Sequence, residues 1–131
     1  MSYQSIINAH NPIRGSNHKC SLRASARLGK AAQSHANWMA QTQRMSHEEN
    51  VQGRVHVGDR VHKAGYNYQA VAENIAFTSG QNNSVPKVMN MWMNSPGHRE
   101  NILNGNYNQI GAAVARASDG SLYWCVVFGR R

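Results

Sequence analysis

Three residues have the types and surroundings to do chemistry. Glu73 lies inside the apolar run Val71-Ala72-Glu73-Asn74-Ile75-Ala76-Phe77. A carboxylate there either points to water, as strand alternation allows, or faces a cleft, accepting from a histidine or holding a metal-bound water. Buried alone, it would take up a proton or destabilise the fold. His47 stands in Arg44-Met45-Ser46-His47-Glu48-Glu49, just past a helical pattern, where a loop histidine is ordinarily solvated. His98 follows Ser95-Pro96-Gly97, a composition that reads as a tight turn closing a helix and presenting the imidazole. Two neutral imidazoles and a carboxylate suit a first-row divalent metal and leave positions open to water. An open position would polarise an anionic or carbonyl group. Without metal, Glu73 would favour the protonated form of a histidine and hold it as a general acid or base. Ser95 is a remote candidate for a nucleophile, needing a base beside it and an oxyanion hole.

Several other chemistries are excluded. The chain contains no H-E-x-x-H, no C-x-x-C, no G-x-S-x-G and no glycine-rich phosphate loop. His56 and His62, six apart on a helical pattern, point to different faces and read as surface. The 131 residues suit one domain, 1–131, able to bury a core without a disulfide framework. No apolar run has the length of a membrane span, and residues 1–8 lack the apolar stretch of a secretory leader. Cys20 and Cys125 either pair, a bridge worth roughly 2–4 kcal/mol, or Cys125 is a buried free thiol.

The elements that must position these residues follow from periodicity. Helices are expected over Tyr3 to His10, stopped by Asn11-Pro12, and over Leu22 to Gln43. In the second, Leu28, Ala31, Ala32, His35, Trp38, Met39 and Thr42 share one face. A third runs Gly53 to Ala64 and ends at Gly65. A fourth runs Val85 to Met93, with Ser84 as N-cap and Pro86 in its first turn. Strands are expected over Val71 to Phe77, Gln109 to Ala115 and Leu122 to Phe128, the last two joined through Ser118-Asp119-Gly120-Ser121. This is an α+β pattern. Charge is uneven: 14 Lys and Arg face 6 Asp and Glu, and residues 1–47 hold no carboxylate. Arg23, Arg27 and Lys30 form a stripe on the outer face of the second helix, read as a solvated surface that would also attract polyanions. Specific nucleic-acid recognition is not expected.

The ordered motifs resemble the CAP superfamily of cysteine-rich secretory, antigen 5 and pathogenesis-related proteins, in its compact bacterial form. His10-Asn11-Pro12-Ile13-Arg14 is similar to its H-N-x-x-R motif, and Ala72-Glu73-Asn74-Ile75-Ala76 to its G-E-N-I-A box with Ala for Gly. Ala31 to Ala40 with Met45-Ser46-His47, Trp92 through Leu103, and Ile110 through Gly129 resemble the remaining segments. The resemblance spans residues 3–129. It implies a three-layer α-β-α sandwich with a central antiparallel sheet and a cleft lined by two His and two Glu.

Carried over, His47 and His98 match the histidines and Glu73 one glutamate. The second glutamate falls near Ser95; Glu48, Glu49 or Glu100 would substitute only if the backbone turned one inward. The resemblance therefore implies zinc or another divalent ion on His47 and His98, with Glu73 as ligand or water holder. It further implies an extracellular protein that binds a lipid, sterol or anionic polysaccharide. The alternative is a metal-assisted hydrolase or peptidase using the same cleft.

Overall fold

The computed structural model describes residues 3–131. Its centre is a four-stranded sheet of order β1-β3-β4-β2, built from β1 (Arg23–Ala24), β2 (Ala70–Thr78), β3 (Gln109–Arg116) and β4 (Leu122–Arg130). β4 lies antiparallel between β3 and β2, with Gly111 and Glu73 both opposite Val127. The sheet is not wholly antiparallel, because β1 adds to β3 in parallel, Arg23 facing Gln109.

Helices cover both faces, which completes the α-β-α layering. On one face α2 (Ala26–Thr42) and α3 (Val57–Lys63) bury Ile75, Ala113, Tyr123, Cys125 and Val127. On the other, α1 (Tyr3–Ser16), α4 (Val85–Met93) and α5 (Pro96–Leu103) bury Ala76, Ala112, Leu122, Trp124, Val126 and Phe128. Covered on both sides, β4 is an unbroken buried run from Leu122 to Gly129, the pattern of a strand with no wet face.

Three helices differ from the expectation. α1 continues to Ser16 through Pro12. Pro12 and Asn8 are exposed, so the carbonyl that the proline leaves without a donor faces water. Beyond the proline, Arg14 anchors the last turn. α2 begins at Ala26, not Leu22. Leu22 is clamped by Asn11, which donates to its carbonyl (3.1 Å) and accepts from its N–H (2.8 Å). Ser25 then caps the helix, accepting from Leu28 N–H at 3.2 Å. Arg23 therefore sits on a strand, and the basic stripe is not a continuous helix face. α3 starts only at Val57, since residues 53–56 turn to offer the Arg54 and Val55 carbonyls to Arg60 (3.0 Å each).

The fifth helix is an addition. Ser95-Pro96-Gly97 does not merely close α4. Ser95 occupies the N-cap of α5 and Pro96 its first turn, the usual places for serine and proline at a helix start. α4 has the bounds and the Ser84 cap expected of it.

One close approach sets the spacing of a layer. A Cβ at Gly111 would collide with the backbone of Leu28 and Gly29, so α2 lies directly against β3 there.

Candidate functional site

Glu73 is the centre of a buried polar network. It points from β2 toward α2 and α3, in register with Val127. Arg60 Nη2 donates to both its oxygens, at 2.9 and 3.2 Å, and His47 Nδ1 stands 3.0 Å from Oε1. The Cys125 thiol donates to Oε2 at 3.4 Å. Burial pushes the carboxyl up, but the His47 hydrogen bond, the charges of His35 and Arg60 and the Arg60 hydrogen bond outweigh it and hold Glu73 below its ordinary value. Glu73 is thus an ionised, fully engaged acceptor.

That acceptor orients His47. An ionised carboxylate can only accept, so Nδ1 carries the hydrogen and Nε2 is left as the ring's free edge. The His47 side chain is 55% exposed, and Nε2 has no protein partner among the described residues. A strand residue and a helix residue together aim a loop histidine.

Behind His47 lies a second pair that sequence reasoning left in the core. His35, fully buried on α2 and stacked on Trp38 at 5.7 Å, meets Glu49 Oε2 through Nδ1 and the Ser46 carbonyl through Nε2, both at 2.7 Å. A carbonyl only accepts, so Nε2 bears a hydrogen and one proton is shared between Nδ1 and Glu49. Glu49 is the acidic residue the backbone turns inward, but it serves His35, Arg54 (2.9 Å) and Arg60 (3.8 Å) rather than the cleft. Glu48 stays outside, paired with the exposed His56 at 3.0 Å, and Glu100 is exposed. The usable signal was Arg60: with Val57, Val61 and Ala64 it shares one stripe of α3.

His98 arrives from the first turn of α5. Its Nδ1 shares a hydrogen bond with Ser95 Oγ at 2.8 Å, the serine forgoing its cap bond. Asn74, next to Glu73, donates to the His98 carbonyl (3.1 Å) and accepts from Asn101 (2.9 Å). One end of β2 therefore positions both histidines, Glu73 holding the first ring and Asn74 the backbone of the second. Partial burial lowers the pKa of His98, and the charge of His47 adds to the effect, so the two imidazoles are in electrostatic range.

The H-N-x-x-R residues lie away from this cleft and serve the fold. His10 is buried, donates through Nδ1 to the Ile6 carbonyl (2.8 Å) and packs against Phe128. Burial pushes its pKa down to about 4, with the Arg14 charge contributing. Arg14 donates to the carbonyls of Cys20, Ile102, Asn104 and Tyr107, tying α1 to the end of α5.

Residues 7–128 match the cysteine-rich secretory protein family, CAP. The chain belongs to this family. It is 33% identical over 102 residues to the uncharacterized protein YkwD of Bacillus subtilis, matching 78% of this chain and 37% of that one. The chain thus spans about a third of the length of this curated relative. In structure it resembles an extracellular SCP-domain protein of Bacillus anthracis, with TM-score 0.84, 26% identity and coverage of 98% and 40%. It also resembles an outer surface protein of Borrelia burgdorferi, with TM-score 0.84, 22% identity and coverage of 98% and 91%.

The CAP fold raises the question of a metal. Among the described residues, no group of three or more His, Cys, Asp or Glu is arranged to hold an ion. Glu73 has both oxygens on Arg60, and Glu49 is taken up by His35 and Arg54. What remains is two imidazole edges, which do not fit a firmly held metal with three or four protein ligands. Cys20, exposed, and Cys125, buried against Glu73, are both free thiols, so the bridge does not form in this CAP domain. No helix among the described residues is long and apolar enough to cross a membrane.

Proposed function

We propose that this CAP domain is an extracellular binding module that takes a lipid, sterol or anionic polysaccharide at the cleft carrying His47 and His98. One observation supports binding over catalysis. Glu73 is the only carboxylate touching either cleft histidine among the described residues, and Arg60 occupies both its oxygens. A carboxylate base needs a free lone pair aimed at the substrate; Glu73 has none to spare and serves as a fixed support, so a base in this cleft would have to be an imidazole. With its hydrogen on Nδ1, His47 presents an Nε2 lone pair suited to a hydroxyl donor or a metal ion, and His98 stands within electrostatic range of it. Zinc or another divalent ion is then an exchangeable ligand on two imidazoles, its shell completed by water or cargo.

Binding of cholesterol sulfate, phosphatidylserine vesicles, heparin and zinc to the wild type and a His47→Gln/His98→Gln variant tests this. Loss of binding to at least one probe in the variant is expected. Identical profiles for the two proteins would remove the cleft as the binding site.

A second reading, hydrolysis, is favoured by the 2.8 Å Ser95–His98 hydrogen bond, which sets a hydroxyl beside an imidazole. Ester or peptide turnover abolished by Ser95→Ala and by Glu73→Gln would establish it over simple binding.

A further inference from the structure

We propose that a phosphate-type oxyanion site lies in a pocket lined by Arg60 and three further cations, and by none of His47, Glu73 and His98. Lys30, Arg54, Arg60 and Lys63 surround a space of roughly 300 Å³, with Ala31, Ser34 and Ala64 completing its wall. Gathering four cations costs electrostatic energy unless counter-charge is supplied. The two acids that answer them reach only the arginines: Glu73 pairs with Arg60, and Glu49, already shared with His35, lies 2.9 Å from Arg54 and 3.8 Å from Arg60. Lys30 and Lys63 have no acidic partner within ion-pair distance among the described residues, and both are exposed.

Two buried guanidinium nitrogens of the lining arginines also lack a hydrogen bond. Arg60 has a side chain only 2% exposed, and its Nε, 3.8 Å from Glu49 Oε2, makes no hydrogen bond; neither does the buried Nε–H of Arg54. Buried polar atoms are nearly always paired. With the two exposed, unpaired ammonium groups of Lys30 and Lys63, the pocket holds more donors than acceptors, a set suited to a tetrahedral oxyanion. Phosphate has enough lone pairs to meet several at once. The basic stripe read from the sequence is thus redistributed: Lys30 joins Arg54 and Lys63, while Arg27 bonds the Gly65 carbonyl at 3.2 Å.

The phosphate group has two possible sources. Next to the basic pocket, sharing Lys30 and Ala64 with it, is a cavity of roughly 650 Å³ floored by Ile7, Gly111 and Ala112. Its size and largely apolar lining are those of a small-molecule site. The phosphate is therefore either a free ion or the head of a single-chain amphiphile whose tail lies in this cavity.

Calorimetric titration with inorganic phosphate, in a buffer free of other oxyanions, tests the site. Saturable binding is expected, weakened by at least about tenfold in Lys30→Gln/Lys63→Gln and unchanged in Arg44→Gln/Arg116→Gln, which removes the same charge elsewhere. Binding persists in His47→Gln/His98→Gln, so failure here is separable from failure of the cleft reading. Dodecyl phosphate binding more tightly than phosphate, with the gain abolished by Ala26→Trp in the cavity wall, assigns the amphiphile; equal affinities assign the free ion. Absence of saturable binding, or equal weakening in the two charge variants, would overturn the proposal.

Discussion

Arg60 Nη2 lies 2.9 and 3.2 Å from the two oxygens of Glu73, and both side chains are 2% exposed. The ion pair joins α3 to β2 and has different neighbours on its two sides. On one side Glu73 supports His47; on the other, Arg60 borders Glu49, Arg54 and the basic pocket. A single guanidinium thus lies between the cleft and the wall of a second pocket.

Removing Arg60 leaves Glu73 as a buried charge without its main partner. Arg60→Met is expected to destabilise the fold by about 3–5 kcal/mol. Adding Glu73→Gln should recover part of that loss, because the double variant no longer buries the unpaired charge. Urea midpoints of the two singles and the double measure this. Strict additivity would mean that the two side chains do not act as a pair.

His98 should titrate below the ordinary histidine value, because partial burial and the neighbouring His47 charge both disfavour its protonated form. Replacing His47 by Gln removes the second cause and should move His98 upward. Two-dimensional NMR of the ring protons across the acid range follows both proteins. A His98 midpoint that stays put or falls in the variant would separate the two rings electrostatically.

The family, its layers, the loop placement of His47 and the strand placement of Glu73 were legible because they lie in contiguous motifs or periodic runs. What was not legible depends on contacts between distant segments. The first helix passes Pro12 because Arg14 reaches residues 88 and 90 positions away in Ile102 and Asn104. Leu22 leaves the second helix because Asn11 holds its backbone. The engagement of Glu73 could not be read without knowing that Arg60 turns inward, although its place on the α3 stripe was a usable sign. The fifth helix was different in kind. Ser95-Pro96 is itself a start signal, and the turn reading passed over it.

Gly111 permits α2 to rest on β3, and a methyl group there would meet the backbone of Leu28 and Gly29. Backbone has no rotamer to yield, so Gly111→Ala should push the layers apart and cost roughly 1–3 kcal/mol or more. Gly15→Ala, where an added Cβ has nothing within 4 Å, is the control and should change little. Guanidinium midpoints decide it, and equal midpoints for the two variants would contradict the close contact.

His10 makes the stability of the fold depend on pH in a determinable direction. Its pKa is about 4 in the folded chain against an ordinary 6.5, chiefly because burial disfavours the imidazolium. Between those values the unfolded chain binds the proton and the folded chain does not. Its contribution is therefore complete above about pH 6.5 and is lost as pH falls toward 4, at up to about 1.4 kcal/mol per pH unit. Glu73, held low, acts in the same direction, but its loss begins only at carboxylate pH. His98 contributes in the histidine window with a pKa that is also lowered. The difference between wild type and His10→Gln isolates the buried residue: the variant is less stable at neutral pH, where the packed ring against Phe128 is missing, but declines less steeply between pH 6.5 and 5. Urea unfolding at half-unit intervals gives both slopes. Parallel curves would mean that His10 is protonated as readily in the folded chain as in the unfolded one.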